Sequence, residues 1–95
     1  MTVTRDYLRR LIRKRFKGEE CEALVHRAVL MHQVNSIIQD KGWSQSEAAE
    51  KLGVVQPRIS ELSKLSIDKF STDLLIKYLY RLNMEVDIQI VDRTR

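Results

Sequence analysis

The sequence predicts a mainly α-helical domain that closes with a single β-strand. Three observations carry this. Aliphatic residues recur at helical spacing through residues 19–40 and again through 71–82. Between those stretches, two short helical segments flank an isolated glycine, Gly53, with small or aliphatic residues on either side. Near the end, Glu85-Val86-Asp87-Ile88-Gln89-Ile90 alternates polar and apolar strictly, the pattern of a strand with one buried face.

The first element is a basic arm over residues 1–17. Arg5, Arg9, Arg10, Arg13, Lys14, Arg15 and Lys17 face only Asp6, while Tyr7, Leu8, Leu11 and Ile12 interleave at roughly helical spacing, with Phe16 after them. This is the pattern of a short amphipathic basic helix. Its apolar side is expected to dock on the domain or a partner. Its cations, which would otherwise repel one another, are expected to meet nucleic acid or an acidic protein.

The remaining residues, 18–95, read as one domain. Gly18 breaks the pattern, and Glu19-Glu20 suits a helix N-terminus through the macrodipole. A long helix is predicted to run to about Asp40, with Leu24, Ala28, Leu30, Met31, Val34, Ile37 and Ile38 forming a wide apolar face. Lys41-Gly42 closes it. His26 and His32 are too far apart in sequence to share one helix face as metal ligands, and no thiol or carboxylate joins them in a zinc pattern.

Residues 44–64, SQSEAAEKLGVVQPRISELSK, predict a helix-turn-helix. A helix pair crossing near a right angle needs a small residue at the closest approach, which Ala49 supplies. It also needs a residue tolerating positive φ in the turn, which Gly53 supplies. Val54, Ile59 and Leu62 are the aliphatic knobs that fill the angle. Ser44 and Glu47 form an S-x-x-E capping box, so the first helix should begin at Gln45. Trp43 and Ala48 stand where a hydrophobic staple would form. The second helix, 56–64, should start near Gln56 with Pro57 in its first turn, where a missing N–H costs nothing. Val55 takes its N-cap position, where Ser or Thr would be better.

With Ile59 and Leu62 inward, Gln56, Pro57, Arg58, Ser60 and Glu61 are left near the exposed side. Arginine can contact guanine bidentately, glutamine can read adenine, and a carboxylate can accept from cytosine N4. Pro57 and Val55 could touch a thymine methyl. Lys64, at the end of the same helix, joins the candidate DNA-contacting set. Ser71 can then cap a helix over 71–82, with Leu75, Tyr78, Leu79 and Leu82 inward.

The predicted strand, 85–91, is alone in an otherwise helical chain, so its backbone groups need a partner. A second copy of itself is the simplest one, giving a two-fold homodimer. The sheet edge of another protein is the rival. Such a dimer would set two recognition helices roughly 34 Å apart and so predicts a palindromic operator on double-stranded DNA.

Residues 36–91 resemble the Xre/Cro type of bacterial helix-turn-helix regulator, and are most similar to small HigA-type antitoxins. The matching residues are Ser44-Gln45, Ala48-Ala49, Leu52-Gly53-Val54, Gln56-Pro57-Arg58-Ile59-Ser60 and Leu62. Beyond the motif they are Ile67-Asp68-Lys69-Phe70-Ser71, Leu74-Leu75, Leu82-Asn83, and Val86 to Ile90. The resemblance implies a compact, lambda-repressor-like fold. It implies a phosphate contact for Gln45 and base-reading positions at Val55, Gln56, Pro57, Arg58 and Glu61. It further implies a transcriptional regulator, or an antitoxin that neutralises a small ribonuclease-type toxin and binds DNA to regulate itself. Two departures stand out. Val55 replaces the usual Ser or Thr, and Ser63-Lys64-Leu65-Ser66 replaces the usual glycine-containing exit from the recognition helix.

Composition agrees. Ninety-five residues, 43% of them hydrophobic, can build one domain with a modest core. Seventeen Lys and Arg against thirteen Asp and Glu give a net charge of +4, which favours a polyanionic partner. A lone cysteine, Cys21, excludes an intrachain disulfide and suits a reducing cytoplasm, where it reads as a small hydrophobe. There is no apolar run long enough to span a membrane. Gly18, Gly42 and Gly53 are isolated, so there is no glycine-rich phosphate loop. No spacing sets a nucleophile beside a base, and nothing calls for a cofactor. A non-enzymatic protein is the expectation.

Overall fold

The computed structural model describes residues 5–94. The chain runs through α1 (Arg5–Arg13), α2 (Gly18–Lys41), α3 (Gln45–Leu52), α4 (Gln56–Ser63), a 3-10 turn (Ile67–Lys69) and α5 (Thr72–Arg81). Residues 1–4 of the basic arm, and Arg95, lie outside the described residues.

α2 is the spine. Its first half takes α1, which folds back so that Arg9 pairs with Glu22 at 3.1 Å. Cys21 and Val25 are buried along that half, at 4% and 0% exposure. Its second half carries the main core, where Met31 and Val34 meet Ala48, Ala49 and Leu52 of α3, Ile59 and Leu62 of α4, and Leu75, Tyr78 and Leu79 of α5. Phe70 closes the cluster edge-on against Tyr78, with ring centroids 6.2 Å apart. No polar or charged side chain is buried among the described residues. Apolar burial, at about 25 cal/mol per Å², is therefore the main contribution that holds the core. Leu30, Ile37 and Ile38 of the apolar face expected on α2 flank this core half-buried, and Leu24 is half-buried beside Ile12 and Phe16.

The helices from α2 to α5 all stop in one manner. A residue in the left-handed region follows the last turn, and an amide beyond it bonds back five residues. Trp43 donates to the Ile38 carbonyl, Val54 to Ala49, Ser66 to Glu61 and Met84 to Leu79. The left-handed residues are Gly42, Gly53, Leu65 and Asn83. Glycine and asparagine tolerate that backbone; leucine, at φ 57°, adopts it at a cost. The departure at residues 63–66 thus keeps the stop and changes only its residue.

The predicted strand is not formed within the single chain. Residues 84–94 carry no regular secondary structure and no strand is found among the described residues. Period-two alternation encodes which faces a segment could present, but a strand exists only when a second one accepts its hydrogen bonds. Nothing else among the described residues supplies one. Val86 packs half-buried against the core, whereas Ile88, Ile90 and Val91 stay 71%, 92% and 69% exposed.

Candidate nucleic-acid interface

The two short helices are fixed from both ends. Ser44 Oγ accepts the Glu47 amide at 3.1 Å, and Glu47 Oε1 accepts the Ser44 amide at 3.0 Å, so the capping box is closed. The Ser44 backbone and then its hydroxyl hold the Glu47 carboxyl below the usual glutamate range. This sets Gln45 at the first turn of α3, exposed. At the other end, Arg81 Nη1 donates to the Leu52 carbonyl at 2.7 Å. α4 begins at Gln56 behind Val55, which supplies no side-chain cap, with Pro57 in the first turn. Its last turn is held from α2, where Asn35 Nδ2 donates to the Leu62 carbonyl at 2.8 Å.

This geometry gathers Gln45, Gln56, Pro57, Ser60, Glu61 and Lys64 around one shallow groove, together with Lys69. The polar groups are amides, a hydroxyl, ammonium groups and one carboxylate, open to solvent and lined by few apolar atoms. Such a surface suits base edges and phosphates better than a small apolar ligand.

Two expected contacts fall elsewhere. Val55 is 67% exposed at the start of α4 and does not line the groove. Arg58 leaves the groove and lies over the Phe70 ring, its guanidinium carbon 4.2 Å from the centroid. Its Nη1 donates to Glu61 Oε1 at 3.0 Å and to the Lys69 carbonyl at 3.3 Å. The spacing of α4 alone could not show this, because Lys69 ends the 3-10 turn and Phe70 follows it.

Lys69 is the groove residue that sequence reasoning missed. Its Nζ reaches Glu61 Oε2 at 2.9 Å. Bonds from Lys69 first and Arg58 second hold the Glu61 carboxyl below the usual range. The only signal in the sequence was its place in Ile67-Asp68-Lys69-Phe70-Ser71. Lys69 also lines a second depression, shared with Ile12 and Phe16 from the arm and with Leu24, Leu65 and Ile67. The basic arm therefore abuts the rim of the groove. Arg10, Arg13, Lys14, Arg15 and Lys17 of the arm are exposed, whereas Arg9 is committed to Glu22.

Compared with known families, residues 12–91 match the helix-turn-helix domain family. The chain belongs to that family. The match takes in the last two residues of α1 as well as the motif, so this helix-turn-helix domain includes part of what the sequence divides off as an arm. A search of curated proteins finds no match. Membership supports double-stranded DNA as the partner and a DNA-binding regulator as the class of this helix-turn-helix protein. Among the described residues no helix is long and apolar enough to cross a membrane. No group of three or more His, Cys, Asp or Glu among them could hold a metal ion. His26 instead meets Glu22 at 3.2 Å, and His32 meets Ser36 at 3.4 Å.

Proposed function

We propose that the protein is a sequence-specific repressor, non-enzymatic and cytoplasmic, that reads an operator upstream of its own coding sequence. The observation that carries this is the single groove joining Gln45 to Gln56, Pro57, Ser60 and Lys64. In this reading Gln45, Lys64 and Lys69 hold phosphates, while Gln56, Pro57 and Ser60 face base edges, with Val55 and Arg58 at the rim. The exposed cations of α1 extend the phosphate footprint. Fluorescence anisotropy on upstream DNA against scrambled duplex of equal length, at two salt concentrations, tests it. A preference of about a thousandfold or more is expected; equal, salt-sensitive binding to both defeats it.

Exposed Ile88, Ile90 and Val91 support two further readings. The first is a homodimer that pairs residues 85–91 between copies and binds a palindromic operator. The second is a HigA-like antitoxin that offers the same segment, or the basic face of α1, to a small ribonuclease-type toxin. Sedimentation velocity separates dimer from monomer. Exchanging Arg10, Arg13, Lys14 and Arg15 for glutamine separates the two uses of α1 while keeping its packing on α2. Lost toxin capture with intact operator binding favours the antitoxin. A flatter salt slope on every DNA favours phosphate contact.

A further inference from the structure

Glu61 is the one acid among the residues that line the recognition groove. A carboxylate facing a polyanion is unfavourable unless it has specific donors. Here each of its oxygens has a cation, Oε1 at 3.0 Å from Arg58 and Oε2 at 2.9 Å from Lys69. Arg58 is further pinned over Phe70 at 4.2 Å and to the Lys69 carbonyl at 3.3 Å. Lys69 in the groove and Arg58 at its rim are thus both bonded to one side chain, which is 27% exposed.

Resting on the DNA-binding reading of this groove, we propose that Glu61 is a specificity-determining residue that withholds Arg58 and Lys69 from the phosphates of random DNA. Random duplex seldom sets a donor in register with the carboxylate, so both cations stay neutralised. An operator that presents a cytosine N4 amino group gives Glu61 another donor. The two cations then become free to turn to a guanine edge and a phosphate.

The test compares the wild-type protein, Glu61→Gln and Lys69→Met by anisotropy on random duplex and on upstream DNA, across a salt series. Each phosphate contact adds about 0.9 to the slope of log K against log salt. Glu61→Gln should bind random duplex about tenfold more tightly at low salt and steepen that slope by up to about 1.8. Its preference for upstream DNA should fall. Unchanged or weaker binding of random duplex by Glu61→Gln overturns the proposal. Lys69→Met should leave the random-duplex slope unchanged, because its ammonium is already taken; a loss of about 0.9 overturns the proposal. If Glu61→Gln fails to fold, as circular dichroism would show, Lys69→Met decides alone. Failure of the proposal leaves the wild-type preference for upstream DNA intact. A wild-type protein that binds no duplex at low salt overturns the DNA-binding reading itself.

Discussion

Asn35, midway along α2, donates its side-chain amide to the carbonyl oxygen of Leu62 at 2.8 Å and so ties the spine of the domain to the last turn of α4. Leu62 is fully buried, and its carbonyl also accepts the Leu65 amide at 3.1 Å. Asn35→Ala should remove one of the two bonds to that acceptor and cost about 0.5–1.5 kcal/mol in urea denaturation. Asn35→Asp should be at least as damaging, since it turns an acceptor toward an acceptor. Equal stability of Asn35→Ala and wild type would show that the bond contributes nothing.

Left-handed stops should respond in opposite directions. Leu65 carries φ 57° and is 56% exposed, so Leu65→Gly relieves backbone strain and loses little burial. It should stabilise by about 0.5–1 kcal/mol after the entropy of the unfolded glycine is subtracted. Gly53→Ala should destabilise by about 1–2 kcal/mol, because φ is 68°. A Cβ there meets nothing within 4 Å, so the cost is in the backbone alone. Thermal melts of the two variants check both signs.

Arg58→Ala removes a cation from the Phe70 ring and should cost about 0.5–1 kcal/mol of stability. On upstream DNA it should lose about 1–3 kcal/mol, with little change on random duplex. Equal losses on both DNAs would end its assignment as a base reader.

Acid should weaken the domain in a readable way. The capping-box carboxyl of Glu47 is lowered from an ordinary value of 4.5, first by the Ser44 amide and then by its hydroxyl. A carboxylate favoured in the fold stabilises it above the unfolded pKa, and that contribution is lost as pH falls through the folded value. Melting temperature should therefore drop below pH about 4.5, and Glu47→Gln should show a shallower drop. An identical pH profile for the two proteins would count against the capping box as a source of acid sensitivity.

Much of this was legible in the sequence because the signals were local. The Ser44–Glu47 pair, Gly53, Pro57 and Ser71 fix their helix ends within a few residues, and α2, α3, α4 and α5 lie where spacing predicts them. The groove was legible as far as one helix face dictates, which is why Gln56, Pro57, Ser60, Glu61 and Lys64 line it. What was not legible depends on contacts between distant residues. The hold of Phe70 and of the Lys69 carbonyl on Arg58 needs the 3-10 turn to bring these partners round. The strand at 85–91 shows the same limit from the other side, since alternation describes a segment and pairing belongs to two.

Cys21 is the sole thiol of the chain and is 4% exposed, beside Phe16 on the half of α2 that carries α1. A thiol so covered reacts only while the segment over it is lifted. Its labelling rate with a maleimide, compared with that of a free peptide, would give the frequency with which α1 peels away. The native residue is thus a built-in clock for the N-terminal hairpin, readable with and without DNA.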